Sequence, residues 1–124
     1  MDSQKPPFRI GVAGVGAIGK NHARIMAEIA SRSGGAITFA AVYDADPARA
    51  AEFAAQYGTQ AAPDLAGFAA RVDAATIAVP TIHHRATAEP LMQQGIHVLV
   101  EKPISESYAE AQAMVAAVRA QGTP

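Results

Sequence analysis

The sequence predicts an α/β chain folded as a doubly wound parallel sheet with strand order 3-2-1-4-5. Three observations predict it. Short apolar, β-branched runs alternate with longer alanine-rich stretches of helical spacing, which reads as βαβα. The apolar runs are nearly continuous, as strands covered by helices on both faces should be. Right-handed crossovers between such units then leave few topologies.

The runs are Phe8 to Ala13, Ala36 to Tyr43, Ala74 to Val79 and Ile96 to Val100, with a weaker one around Thr59 to Ala62. Helices are expected from Ala17 to Ala30, Pro47 to Tyr57, Leu65 to Ala70, Ile82 to Gln94 and Glu106 to Ala120. Pro47 suits a first helical turn, and Gly58 and Gly95 suit helix ends. Pro90 inside a helix removes an amide donor and crowds the preceding turn, so a kink or a late helix start is expected there. Ser31 to Gly35 reads as a loop, and residues 1–7 as a disordered lead before a single domain over 8–124.

Composition narrows the partners. At 124 residues and 50% hydrophobic, the chain can bury one core but not two. Ten basic against eleven acidic residues give a net charge of −1, too little to hold a nucleic-acid backbone or an anionic membrane surface. No apolar run approaches the roughly 20 residues that cross a bilayer. The partner expected is a small molecule. The absence of cysteine removes thiol chemistry and agrees with a cytoplasmic location. Any redox role then needs a borrowed cofactor.

The first run leads directly into Gly14-Val15-Gly16-Ala17-Ile18-Gly19, with G-x-G-x-x-G spacing at the opening of a helix. Gly14 permits the tight turn, Gly16 lets the backbone approach a pyrophosphate, and Gly19 lets the helix lie close on the strand. The phosphates would meet free amides at the helix amino terminus. The second run ends in Asp44, somewhat further beyond Gly19 than the usual roughly 20 residues, the excess fitting in the Ser31 to Gly35 loop. A carboxylate there accepts both hydroxyl hydrogens of an adenosine ribose and repels a 2′-phosphate, so NAD is preferred over NADP. Arg49 nearby softens that preference, and Asp46 is the better candidate for a helix cap before Pro47.

Gly14 to Lys20 also fits the phosphate-loop pattern G-x-x-x-x-G-K of nucleoside triphosphatases. That reading fails at Asn21, where a Ser or Thr hydroxyl should hold magnesium.

Val79-Pro80-Thr81-Ile82-His83-His84, a helix, and then Gly95-Ile96-His97-Val98-Leu99-Val100-Glu101-Lys102-Pro103-Ile104-Ser105 form a specific combination. It resembles the Gfo/Idh/MocA oxidoreductase family, over essentially the whole chain. The resemblance implies an amino-terminal Rossmann domain that binds NAD(P). It also implies a second α/β domain carrying the sugar site and a catalytic histidine, which is absent here together with the first domain's sixth strand, expected to begin near Gly122-Thr123-Pro124. A fragment and a natural truncation both fit. On matching positions, the backbone of Gly16, Ala17 and Ile18 should hold the pyrophosphate and Asp44 the adenosine ribose. Val79, Pro80 and Thr81 should lie near the switch point, with Thr81 and His84 lining the cofactor crevice. Glu101 and Lys102 should reach the nicotinamide end, where Lys102 positions the substrate hydroxyl and assists proton movement. Read on the residue alone, Lys102 is a surface lysine after a strand, and in this short chain a solvated one. The Lys102-Pro103 bond is a candidate for the cis form.

No metal site is expected, because neighbouring positions on a helix point about 100° apart and no further ligand follows at suitable spacing. His97 reads as a hydrogen-bonded core residue and His22 as a helix-surface or packing residue.

The resemblance implies a dehydrogenase moving hydride from a carbinol carbon of a sugar, cyclitol, other polyol or nucleotide sugar to NAD. Ile77-Ala78-Val79-Pro80-Thr81 and His97 to Pro103 resemble members acting on nucleotide-linked amino sugars. This chain alone is expected to bind cofactor without appreciable turnover. The alternative is a stand-alone, non-catalytic NAD-binding or interaction module, forming a homo-oligomer or other pairing through the bare sheet edge.

Overall fold

The apolar runs form four strands in the computed structural model, which describes residues 5–122. They are β1 (Phe8–Ala13), β2 (Ile37–Tyr43), β3 (Ala74–Ile77) and β4 (His97–Val100). Five α-helices connect them: α1 (Ala17–Arg32), α2 (Pro47–Tyr57), α3 (Leu65–Ala69), α4 (His84–Gln93) and α5 (Tyr108–Gln121). Every strand pair is parallel, and the order across the sheet is β2-β1-β3-β4. The weak run after α2 reaches the predicted outer position beside β2, but only as a single parallel bridge from Ala61 to Val42. The sheet therefore follows the predicted order with its outermost strand reduced to one residue pair. Among the described residues no helix is long and apolar enough to cross a membrane.

Local chemistry sets the helix ends. Asp46 caps α2 by accepting hydrogen bonds from the amides of Ala48 and Arg49, and Pro47 occupies the first turn. Gly58 ends the same helix in the left-handed conformation, at φ 70°. Asp64 and Ser107 cap α3 and α5. A 3-10 turn over Thr81–His83 precedes α4, which starts at His84 rather than Ile82 and runs through Pro90.

Two cores hold the layers together. On one face α1 and α2 bury Val12, Met26, Phe39, Val42 and Phe53. On the other α3, α4 and α5 bury Phe68, Ile77, Leu91, Met92 and Met114. Burying each such side chain contributes about 1.5–3 kcal/mol, which offsets the conformational entropy lost on folding. Gly11 makes the second core possible. A Cβ there would stand 2.7 Å from the Ala41 carbonyl oxygen and 2.8 Å from the Phe68 ring, so glycine lets α3 lie against the strand.

The last strand departs from the expectation of cover on both faces. Val98 and Val100 pack on the second core, whereas His97 and Leu99 are exposed, Leu99 by 61%. The reason is layer geometry: α1 packs on β1 and β2, whereas the helix packed on β4 is α4, on the opposite face. His97 is thus a surface residue, not the core residue its apolar surroundings in sequence suggested. Thr76, between Val12 and Leu99 on this face, has a buried hydroxyl with no hydrogen-bond partner among the described residues.

Of the expected disordered lead, residues 1–4 lie outside the described residues, and residues 5–7 have no regular secondary structure. The expected position of a sixth strand, around Thr123 and Pro124, also lies outside them.

Candidate functional site

The carboxyl ends of the four strands open on one cleft of about 870 Å³. Its walls follow the sheet order. Asp44 stands at the end of β2, the Gly14 to Ile18 turn at β1, Val79 to Thr81 at β3, and Glu101 and Lys102 at β4. Neighbouring strands lie about 4.8 Å apart, so the distance from β2 to β4 is roughly 14 Å. The chain reverses its winding direction between β1 and β3, which makes this the switch point where open α/β sheets bind ligands. A larger open depression of about 1700 Å³ lies at the opposite, amino-terminal ends of the strands. The Arg9 and Asp73 charges there satisfy each other, and among the described residues no helix start lines it.

The three glycines of the turn have different reasons to be glycine. Gly14 has φ 98°, and a Cβ would stand 2.5 Å from the Val79 amide nitrogen. At Gly19 a Cβ would collide with the Gly14 carbonyl. These two positions are dictated by the fold itself. Gly16 has ordinary backbone angles, φ −75° and ψ −154°, and a Cβ there would approach only the Arg49 guanidinium, at 3.9 Å. Nothing in the chain requires glycine at Gly16, so the space it leaves open is a cradle on the cleft side. The helix start beside it supports the same inference: α1 has no side-chain cap, whereas α2, α3 and α5 are each capped by a side chain. Unpaired amides over an open cradle suit a phosphate group.

Asp44 is largely buried, with 10% of its side chain exposed. One carboxylate oxygen accepts the Val15 amide at 2.9 Å and the other the Asp46 amide at 2.8 Å. Its charge is therefore fixed beside the glycine turn, with Arg49 3.8 Å away. A carboxylate offers about four acceptor positions, so lone pairs remain for ribose hydroxyls.

At the other end, Glu101 accepts a hydrogen bond from the His22 ring at 2.7 Å and one from the Lys102 amide at 3.2 Å. These donors hold its carboxyl below the usual carboxylate range, the His22 bond having the larger effect. The Lys102 side chain is exposed, and the Lys102–Pro103 peptide is cis. His84 is 2% exposed, and its two ring nitrogens face the carbonyl oxygens of Val79 at 3.0 Å and Ile104 at 3.1 Å. It forms the back of the cleft and ties the end of β3 to the segment after Pro103.

The structure thus brings Gly14, Gly16, Ala17, Ile18, Asp44, Val79, Pro80, Thr81, His84, Glu101 and Lys102 around one cleft. Gly19 lies buried beneath the turn. Sequence reasoning missed His22, which stands 79 positions from its partner Glu101. The only local signal was its place one helical turn after Ile18. Among the described residues no three His, Asp or Glu side chains gather as metal ligands.

A doubly wound sheet with an uncapped helix start and a carboxylate at the end of β2 defines a dinucleotide-binding domain. Residues 8–124 match the family described as an oxidoreductase family with an NAD-binding Rossmann fold, and the chain belongs to that Gfo/Idh/MocA family. UDP-N-acetylglucosamine 3-dehydrogenase of Acidithiobacillus ferrooxidans is 41% identical over 108 residues, which are 87% of this chain and 32% of that protein. Its solved structure superposes with a TM-score of 0.85 at 38% identity, over 94% of this chain and 36% of the other. An NADP-linked scyllo-inositol 2-dehydrogenase of Bacillus subtilis is 40% identical over 85 residues, 66% of this chain and 26% of its own. The WlbA dehydrogenase of Bordetella pertussis, solved with NADH and UDP-GlcNAcA, has a TM-score of 0.83 and 28% identity, over 94% of this chain and 35% of its own. The chain spans about a third or less of the length of the curated relatives it matches.

Proposed function

We propose that this chain is the cofactor-binding part of an NAD-dependent dehydrogenase acting on a hydroxyl of a sugar, cyclitol or nucleotide sugar. The observation that carries the reading is the order along the cleft: ribose acceptor at β2, phosphate cradle at β1, and Glu101 with Lys102 at β4. The free amides of Ala17 and Ile18 donate to the pyrophosphate across the opening at Gly16. Asp44 accepts the adenosine ribose hydroxyls, and its buried negative charge disfavours a 2′-phosphate. Arg49 reduces that penalty without removing it, because its guanidinium is itself drawn toward Asp44.

When bound, the nicotinamide supplies the hydride acceptor. Lys102, which lines that end of the cleft, is the residue whose ammonium would stabilise alkoxide charge developing on the substrate hydroxyl. The family resemblance implies that the acid–base histidine and the remaining substrate contacts come from a second domain. The chain alone therefore binds cofactor without appreciable turnover. Similarity to nucleotide-sugar and cyclitol dehydrogenases supports the substrate class and disfavours a stand-alone non-catalytic module. A cytoplasmic location agrees with the lack of cysteine.

Calorimetric titration with NAD, NADP and ATP tests the reading. NAD should bind most tightly, and Asp44→Ala should lose about tenfold to a hundredfold in NAD affinity while losing less for NADP. Tighter binding of ATP than of NAD would refute a dinucleotide site, and tighter NADP would overturn the cofactor preference. For the reaction, protein containing the second domain should reduce NAD with at least one member of a sugar and polyol panel.

A further inference from the structure

His22 and Glu101 meet across the molecule, from the second turn of α1 to the residue after β4. A carboxylate can only accept, so the His22 Nε2 carries the hydrogen of this contact. The side chains are 16% and 32% exposed, so the bond is shielded on the histidine side and open to the cleft on the glutamate side. With the Lys102 amide on its other oxygen, Glu101 is held at both oxygens while keeping free lone pairs toward the cleft. The same helix that presents free amides at Ala17 and Ile18 thus carries, one turn later, the group that fixes the carboxylate at the far wall.

We propose that His22 is a positioning residue, which orients Glu101 to receive the half of the dinucleotide beyond the pyrophosphate. The inference rests on the dinucleotide reading above. Asp44 assigns the adenosine half to the β2 side, which leaves the second ribose and the nicotinamide to the β4 side, where Glu101 stands. An unanchored glutamate at an open edge would sample several rotamers, and ligand binding would have to select one. His22 removes that selection in advance. It touches neither ligand half itself.

The test uses the 124-residue chain and three probes: NAD, ADP-ribose, which lacks the nicotinamide, and ADP, which also lacks the second ribose. His22→Ala should weaken NAD and ADP-ribose by about tenfold and leave ADP affinity unchanged. His22→Gln, which keeps a side-chain N–H donor, should restore much of the loss. Glu101→Gln should reproduce the selective loss, and adding His22→Ala to it should cost little more, because the two residues act as one unit. Equal loss for NAD and ADP, with a lowered melting temperature, would show that His22 only holds the fold together and would overturn the inference. So would unchanged NAD binding in His22→Ala. Failure of the wild-type chain to bind any of the three probes would instead defeat the dinucleotide reading, and this inference with it.

Discussion

At the scale of single residues, the glycine turn separates what the fold needs from what a ligand needs. Gly19 abuts the Gly14 carbonyl, so Gly19→Ala has no unstrained arrangement and should lower stability by several kcal/mol, about 2–4. Gly16→Ala meets open space at an ordinary backbone conformation, and the lower entropy of the unfolded chain should leave stability unchanged or raised by about 0.4–1 kcal/mol. Yet its methyl group fills the cradle over the α1 amides, so NAD affinity should fall by about tenfold or more. Urea unfolding followed by far-UV circular dichroism, paired with calorimetry, reads both quantities. If Gly16→Ala lost stability and kept its affinity, the cradle would have no ligand role. Asp44 differs from both, since that carboxylate accepts the Val15 amide of the turn and the Asp46 amide of its own loop and is also the proposed ribose acceptor.

At the scale of elements, the Arg9–Asp73 pair fastens the start of β1 to the loop before β3. Asp73 accepts the Arg9 guanidinium at 2.9 Å and its amide at 2.8 Å. Chiefly through the guanidinium bond, its carboxyl is held below the usual range. A folded value below the unfolded one means that the stabilisation is complete above about pH 4 and disappears as pH falls through the folded value. With side chains 44% and 36% exposed, the pair contributes no more than about 1 kcal/mol. Asp73→Asn should therefore lose up to that amount at pH 7 and progressively less as the pH is lowered through the folded value, as urea midpoints at pH 7 and at pH 2 will show. Equal losses at both would mean that charge plays no part. The elements themselves were largely legible in the sequence, because strands covered by helices read as unbroken apolar runs and β1 and α2 have clear chemical boundaries. What was not legible depended on distant partners. Ala61 needed β2 to accept more than one bridge, His97 needed a layer over β4, and His22 needed Glu101. No periodicity within a segment records whether another segment will lie upon it. The cleft-lining residues Gly14, Asp44 and Glu101 were legible for the opposite reason: each directly follows a strand, where the turn chemistry is local.

At the scale of the whole molecule, the cleft lies across the join between two halves of the sheet. α1 and α2 pack on β1 and β2, α4 packs on β3 and β4, and the β1–β3 ladder links the two pairs of strands. A ligand held at Asp44, at the α1 amides and at Glu101 contacts both halves, so its binding free energy should appear as stability of the entire domain. At free NAD one hundred times its dissociation constant, linkage contributes about 2.7 kcal/mol. For a chain of 124 residues each kcal/mol raises the melting temperature by roughly 4 °C, so the expected shift is about 10 °C. Adenosine at the same saturation satisfies the linkage relation equally but touches one half only. Amide exchange then distinguishes the two ligands: NAD should slow exchange in β3 and β4 as well as in β1 and β2, whereas adenosine should slow it mainly around β1 and β2. Protection confined to the β2 side with NAD would mean that the dinucleotide does not reach Glu101 and Lys102, and the hydride-transfer role assigned to that end of the cleft would fail.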